Sequence, residues 1–235
     1  MEPLIEVCGL RFRYEDGTQA LAGVDFRLFP GESVALLGPN GSGKTTFVLH
    51  LNGLLRGEGS IWICGLPLRP ETLPLIRRKV GILFQDPDEQ LFMPTVLEDA
   101  AFGPLNLGLD PSEALRAARE ALACTGMAAA CDRAPYHLSA GEKRRAALAG
   151  VLAMNPEILV LDEPTTFLDP PGRRDLAALL GTLPQAKIVV THDTAFARAT
   201  TTRALFFEKG RIVSEGPTAE LIRRLGWDAG PTPPD

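Results

Sequence analysis

The chain has 235 residues, 45% of them hydrophobic and 23% charged, with a formal net charge of −5 and a pI near 5.3. This composition is typical of a globular protein. The acidic balance argues against nucleic acid as a partner, because neutralising phosphates needs a basic face. The segment MEPLIEV has no basic region or long apolar core, and no stretch approaches the ~20 apolar residues that cross a bilayer. We therefore expect neither a signal peptide nor a membrane span.

The pattern of apolar residues predicts an α/β fold. Residues 5–8, 24–28 and 60–65 alternate apolar with polar side chains, as half-buried strands do. Four later runs are continuously apolar: 34–37, 80–84, 158–161 and 188–190. Strands that are buried on both faces have this composition, so these runs predict a parallel sheet covered by helices.

Polar groups follow each of the four apolar runs. They are residues 38–44, Gln85, the pair Asp162 and Glu163, and the pair 191–192. Ligands of open α/β sheets bind beyond the carboxyl ends of the strands. The sequence therefore predicts one functional site at this edge of the sheet.

The segment GPNGSGKTT at residues 38–46 has the G-x-x-x-x-G-K-[ST] spacing of a phosphate-binding loop. Its glycines permit conformations in which successive N–H groups point at one anion, and a helix expected to begin near Ser42 adds its positive dipole end. Lys44 supplies a charge for the terminal phosphates, and the Thr45 hydroxyl is placed to bind Mg²⁺. The predicted nucleotide-binding residues are Gly38, Pro39, Asn40, Gly41, Ser42, Gly43, Lys44, Thr45 and Thr46.

The side chains after the other strands suit hydrolysis of a nucleoside triphosphate. Asp162, at the end of ILVLDEP, is predicted to hold Mg²⁺, and Glu163 to take the proton from an attacking water. Gln85 suits positioning of the water and contact with the metal, and His192 can donate to the γ-phosphate. Taken alone, the two carboxylates could equally be solvated residues at a strand end. The predicted metal ligands are Thr45, Gln85 and Asp162, and the predicted catalytic residues are Lys44, Gln85, Glu163 and His192.

The segment YHLSAGEKRRAAL at residues 136–148 is open to two interpretations. Ser139 followed by Glu142 is a capping box, which by itself explains only the start of a helix. Ala140 and Gly141 beside the helix N-terminus also form a second anion site, which most simply serves a nucleotide held by another copy. The predicted residues contacting that nucleotide are Ser139, Ala140, Gly141 and Glu142.

These motifs, in this order and with Leu168-Asp169, resemble the ATP-binding cassette of ABC transporters. The resemblance covers essentially the whole chain. It implies a P-loop NTPase fold with a parallel-core sheet, an N-terminal antiparallel β subdomain and an inserted helical lobe. It also implies ATP and Mg²⁺ as cofactors and a head-to-tail pair formed with itself or a related cassette. Within that pair, Tyr14 is similar to the aromatic residue that stacks on adenine, and Asp169 to the residue at the seam that contacts the partner's nucleotide.

Finer segments resemble the ATPase subunits of energy-coupling factor importers, especially the cobalt/nickel type. They are FQDPDEQLF, VLEDAAFGPLNLGL and HLNGLL. The resemblance implies ATP-driven uptake of a metal ion or vitamin through integral membrane subunits, with this chain peripheral at the cytoplasmic face of the membrane. The alternatives are a soluble cassette of a non-transport assembly, such as iron–sulfur cluster biogenesis, and a DNA-repair or translation ATPase. Ala140 and Glu142 depart from the family's LSGGQ, and Phe167 stands where the family has a small residue.

We expect one domain over residues 1–235. Residues 1–85 and 158–225 form the predicted nucleotide-binding core, about 86–137 the helical lobe, and 226–235 a disordered tail. Within the lobe, Asp110 is the predicted cap of a helix. The predicted packing face of that helix comprises Leu115, Ala118, Leu122 and Thr125. Two readings of Leu91, Phe92 and Met93 stay open, namely local core or part of a groove for a helix of the membrane partner.

Overall fold

The computed structural model describes residues 2–227. Contacts divide them into two compact units, one formed by residues 2–73 with 186–227 and the other by residues 74–185. Most of the predicted disordered tail, residues 228–235, lies outside the described residues.

The elements follow one another along the chain in an alternating order. They are β1 (Ile5–Arg13), β2 (Gln19–Leu28), β3 (Ser33–Leu37), α1 (Lys44–His50), β4 (Glu58–Ile63), β5 (Leu66–Pro67), α2 (Leu73–Lys79), β6 (Val80–Leu83), α3 (Val96–Asn106), α4 (Pro111–Cys124), α5 (Ala140–Ala153), β7 (Ile158–Asp162), α6 (Pro170–Thr182), β8 (Ala186–Val190), α7 (Thr194–Thr200), β9 (Arg203–Glu208), β10 (Arg211–Pro217) and α8 (Thr218–Arg224).

An antiparallel sheet of order β2-β1-β4-β5 forms part of the first unit. In β1 the apolar residues Ile5 and Val7 are buried and Cys8 is exposed, so the alternating pattern gives a strand with one buried face. Val7 lies opposite Phe26 of β2 and Ile61 of β4, which places three apolar side chains side by side. This sheet confirms the predicted N-terminal antiparallel part of the fold.

The parallel strands of the first unit are β3, β8 and β9. Residue Leu36 of β3 lies opposite Val190 of β8 and Leu205 of β9. Strand β10 closes the edge as the antiparallel partner of β9. Helices α7 and α8 bury Ala197, Leu221 and Ile222 against β3 and β9. The sequence did not predict the hairpin β9–β10.

Helix α1 fills the space between the two sheets of the first unit. The ring of Phe47 lies 5.4 Å from Phe26 of the antiparallel sheet and 5.5 Å from Phe207 of β9, measured between centroids. Aromatic pairs at this separation stabilise a contact beyond the area they bury. The packing therefore fixes the start of α1, and with it the glycine-rich loop that precedes this helix.

In the second unit the parallel pair β6 and β7 packs against a group of three helices, α3, α4 and α5. Leu83 of β6 lies opposite Leu161 of β7. Helix α5 contacts β6 as well as α3 and α4. A Cβ atom on Gly81 would lie 2.4 Å from Val151 Cγ1, so this glycine permits close approach of β6 and α5.

Local sequence signals place the helix starts of the second unit correctly. Asp110 caps α4 by accepting from Ser112 N–H at 2.9 Å, and Ser139 caps α5 in a reciprocal capping box with Glu142. The predicted packing face of α4 is wrong at Leu115, which is 39% exposed, because Ala114 lies on the buried face with Ala118 and Leu122. Within residues 2–227, no helix combines the length and the apolar character needed to cross a membrane.

Candidate nucleotide-binding and catalytic site

The loop between β3 and α1 has a backbone that only glycine can adopt at two positions. Gly38 has φ 139° and Gly43 has φ 104°. A Cβ atom would lie 2.2 Å from Phe207 O at Gly38 and 2.4 Å from Ala20 O at Gly43. The two glycines therefore let the loop pack closely against β9 and β2, in a backbone conformation of the kind that cradles phosphate groups. The helix begins at Lys44 and not near Ser42, because Gly43 is in the left-handed region.

The ammonium group of Lys44 lies over this loop. Its Nζ atom donates to Gly38 O at 2.8 Å and to Pro39 O at 2.9 Å, and the residue is only 6% exposed. The side chain thus places a positive charge at this loop, where an anion would bind. Thr45, the predicted metal ligand of this loop, is exposed, and Thr46 is buried.

Tyr14 is fixed beside the start of α1. Its hydroxyl shares a 2.9 Å hydrogen bond with Thr46 Oγ1, and its ring packs edge-on to Phe12 at 4.9 Å. The ring is still 40% exposed. An anchored, half-exposed aromatic ring next to the phosphate-binding loop suits stacking on a nucleotide base.

His192 lies two residues after the end of β8, the parallel neighbour of β3. Thr191 N–H donates to Leu36 O at 3.3 Å, which continues the pairing of the two strands. Asp193 caps α7 through Phe196 N–H at 2.9 Å. His192 therefore lies at the same edge of the first unit as the phosphate-binding loop, as the sequence predicted.

The second unit brings Gln85, Asp162 and Glu163 to one edge, because β6 and β7 are parallel and in register. Gln85 is exposed, whereas Asp162 is 3% and Glu163 8% exposed. Glu163 has φ 43°, a left-handed conformation that is strained for a residue with a Cβ. Thr166 N–H stabilises the turn by donating to Glu163 O at 3.1 Å. Such strain in a buried carboxylate points to a functional role for Glu163.

The acidic residue Glu142 is held by hydrogen bonds at the start of its own helix, α5. Glu142 Oε2 accepts from Ser139 N–H at 2.8 Å and Oε1 from Arg133 Nη1 at 2.7 Å. The Ser139 N–H bond, helped by Arg133, lowers the pKa of Glu142 to about 2. Arg133 therefore partly neutralises the negative charge that Glu142 introduces in place of the family's Gln.

Asp169 and Phe167 flank the start of α6. Asp169 Oδ1 accepts from Gly172 N–H at 2.9 Å and so caps this helix. Phe167 has φ 64° and is 79% exposed, so its ring extends into solvent in the single chain.

Sequence reasoning missed two arginines that support these residues. Arg133 pairs with Glu142, and Arg144 of α5 is buried with its guanidinium against the backbone of Gln85 and Thr166. The burial of Arg144 could have been predicted, because it lies three, four and seven residues before Ala147, Leu148 and Val151. All three are buried on the same face of α5.

The chemistry of these groups fits a nucleoside triphosphate. In the first unit, a glycine loop with an ammonium group suits phosphates and a half-exposed tyrosine suits a base. In the second unit, buried carboxylates suit a divalent cation. Taken together with the α/β fold, these features define the class of P-loop nucleotide-binding proteins.

Comparison with known proteins identifies the family. Residues 21–166 match the ABC transporter family. The energy-coupling factor transporter ATP-binding protein EcfA of Methanocaldococcus jannaschii is 45% identical over 225 residues, covering 93% of this chain and 81% of that protein. A Streptomyces coelicolor protein, provisionally named an ABC transporter ATP-binding protein, is 54% identical over 219 residues, covering 93% and 84%. This chain belongs to the ABC transporter family, as one of its ATP-binding cassettes.

Solved structures agree with this assignment. The structure of cbiO1 from Clostridium perfringens, described as part of the ABC transporter complex cbiONQ, has a TM-score of 0.86 and 35% identity. The match covers 96% of this chain and 92% of that one. The cassette MJ0796, as a dimer in a post-hydrolysis state with ADP and Pi, has a TM-score of 0.82 and 28% identity, covering 91% and 98%. The predicted fold class is confirmed, and the chain is an ATP-hydrolysing cassette.

Proposed function

We propose that this chain is the ATP-hydrolysing subunit of an energy-coupling factor importer, peripheral at the cytoplasmic face of the membrane. The single observation that carries the proposal is the 45% identity to an energy-coupling factor ATP-binding protein over 93% of the chain. The similarity to cbiO1, a part of cbiONQ, supports integral membrane subunits as partners. The cargo belongs to the class of cobalt, nickel or a vitamin, and the membrane subunits select it.

The proposed site uses the groups described above in distinct roles. Residues 38–46 bind the phosphates and Tyr14 stacks on the adenine. Thr45, Gln85 and Asp162 would hold Mg²⁺, which neutralises phosphate charge. Two observations fit these ligands: Thr45 is an exposed hydroxyl beside Lys44, and Asp162 is a buried carboxylate at a strand end.

Hydrolysis requires a base and groups that stabilise developing charge. Glu163 accepts the proton of the attacking water, and its buried, strained position holds the carboxylate in one orientation. Lys44 and His192 donate to oxygens of the γ-phosphate as negative charge increases there. ADP and phosphate leave, and the protonated Glu163 returns its proton to solvent.

A second cassette completes each site in this proposal. Ser139, Ala140, Gly141 and Glu142 at the start of α5, with Asp169, contact the nucleotide bound by the facing cassette. The simplest pair is two copies of this chain, and a related cassette is the other pairing. The dimeric structures of MJ0796 support a pair. ATP binding closes the pair, and hydrolysis allows it to open.

The loop before α3 is the proposed contact with the membrane subunit. Phe92 is 59% exposed and its ring packs on Phe102 at 4.9 Å, whereas Leu91 is only 9% exposed. Asp99 Oδ1 accepts from the N–H groups of both Phe92 and Met93 at 3.0 Å, which holds the loop in place. Phe92 and Met93 therefore suit docking, and Leu91 belongs to the core.

Purification of the affinity-tagged chain from detergent-solubilised native membranes tests the transport assignment. We expect multi-spanning membrane proteins to co-purify in stoichiometric amounts, and the complex in liposomes to couple ATP hydrolysis to uptake. A chain that remains in the non-membrane fraction with iron–sulfur assembly proteins would contradict the proposal and support the non-transport alternative.

A further inference from the structure

Arg144 is a charged residue in the interior of the second unit. It lies in α5, five residues after the cap Ser139, and is only 1% exposed. Arginine is rarely buried to this degree unless its guanidinium has specific partners. None of the roles described above uses this side chain.

The guanidinium of Arg144 joins three backbone carbonyl groups. Nη1 donates to Phe84 O at 2.9 Å, and Nη2 donates to Gln85 O at 2.8 Å and Thr166 O at 3.3 Å. The first two carbonyls belong to the chain segment that carries Gln85. The third belongs to the turn between Glu163 and Asp169. One rigid, planar group therefore connects α5 to the two segments that carry the proposed metal ligand and base.

The burial of this charge is costly, so packing alone does not explain it. Desolvation lowers the pKa of Arg144, although the carboxylates of Asp86 and Asp162 act in the opposite direction. The Nε atom is buried and has no acceptor within the described residues. An apolar side chain of similar length would fill the volume without these costs. What the guanidinium adds is its geometry, since it holds three carbonyls in fixed positions.

We infer that Arg144 is a positioning residue, which makes the placement of Gln85 and of the Glu163–Asp169 turn depend on the position of α5. The inference rests on the proposed function, because that assigns Gln85, Glu163 and the start of α5 their roles. A displacement of α5 when its N-terminus meets a facing nucleotide is then transmitted to the segments beside Gln85 and Glu163. Nucleotide contact at one site thereby adjusts the catalytic groups of the same chain.

The test compares Arg144→Met and Arg144→Lys with the wild type and with the control Arg119→Met, an exposed arginine of α4. For Arg144→Met we expect unchanged ATP affinity but a kcat about 10- to 100-fold lower, the scale of small misplacements in an active site. Half-maximal hydrolysis should also require more Mg²⁺, because Gln85 is displaced. Arg144→Lys should have an unfolding temperature and a kcat between those of Arg144→Met and the wild type. Arg119→Met should match the wild type in both quantities.

A folded Arg144→Met with the kcat and Mg²⁺ dependence of the wild type would overturn the inference. If Arg144→Met does not fold, Arg144→Lys decides: a folded protein with wild-type kcat and Mg²⁺ dependence would overturn the role, and a lower kcat at unchanged ATP affinity would support it. Absence of hydrolysis in the wild type would instead overturn the proposed function, and this role with it.

Discussion

At the residue scale, Glu142 shows how a departure from the family pattern is accommodated. A carboxylate near a phosphate would repel it, but this carboxylate accepts hydrogen bonds from Ser139 N–H and Arg133. Both bonds stabilise its charged form, which is why the pKa falls to about 2. The same contacts attach Arg133 to the start of α5.

This pKa shift makes stability depend on pH in a defined direction. The pKa of Glu142 falls from 4.5 to about 2 on folding, so its stabilisation is present above pH 4.5 and is lost as the pH falls towards 2. Glu142→Gln should lower the free energy of unfolding at pH 7 by about 0.5–1 kcal/mol, because the pair is partly exposed. Urea unfolding should show this difference shrinking below pH 4.5.

The matched control for that measurement is Glu113→Gln, which changes the acid at the corresponding position of α4. Its effect on the free energy of unfolding at pH 7 should be smaller, because the arginine pair of Glu142 is kept in this variant. A constant difference between Glu142→Gln and the wild type from pH 7 to pH 3 would show that the charge on Glu142 does not stabilise the fold.

Sequence motifs indicate the candidate residues with direct chemical roles, but they do not reveal the arginines that contact these residues. Lys44 and Asp162 belong to motifs whose spacing reflects a direct chemical need. Arg133 and Arg144 act through contacts that depend on tertiary packing, so no local pattern reveals their partners. The sequence predicts a catalytic role for Glu163, but it did not predict the left-handed backbone of this residue, because propensity disfavours that conformation for glutamate.

At the element scale, the strands with continuous apolar runs were predicted and the hairpin β9–β10 was missed. The runs at β3, β6, β7 and β8 are buried on both faces, which leaves a strong signal. Strand β10 is an edge strand with alternating intermediate and exposed residues, so little apolar patterning marks it. The error at Leu115 arose because an alanine-rich helix can bury its small residues and expose its leucine.

The loop between β6 and α3 is the proposed docking surface for the membrane subunit. Phe92→Ala should weaken co-purification of the membrane subunit about tenfold or more, as expected for an aromatic anchor, while hydrolysis by the isolated chain stays unchanged. Leu91→Ala removes a buried side chain instead, so it should lower the free energy of unfolding by about 2–3 kcal/mol.

The exposed aromatic residue Trp62 of β4 provides the control, because Trp62→Ala changes a comparable surface without touching this loop. Membrane-subunit binding that survives Phe92→Ala would remove Phe92 from the docking surface. Hydrolysis lost along with binding would show that Phe92 supports the fold and is not a docking residue alone.

At the scale of the whole molecule, we propose that two cassettes share two ATP molecules. Each chain supplies Lys44 and Glu163 to its own nucleotide and the start of α5 to that of its partner. The single chain exposes both Phe167 and Ser139, which leaves these surfaces available for a second cassette.

Replacing Glu163 by Gln should lower turnover by about two orders of magnitude or more while ATP still binds.

Sedimentation of Glu163→Gln with and without Mg-ATP measures its mass in solution. This measurement shows directly whether two copies of the chain pair when ATP binds. We expect this variant to bind ATP without hydrolysing it. The 25.3 kDa chain should therefore double in mass when Mg-ATP is added and return to a monomer when ATP is removed. A chain that remains monomeric at saturating ATP would contradict the pairing of two copies of this chain.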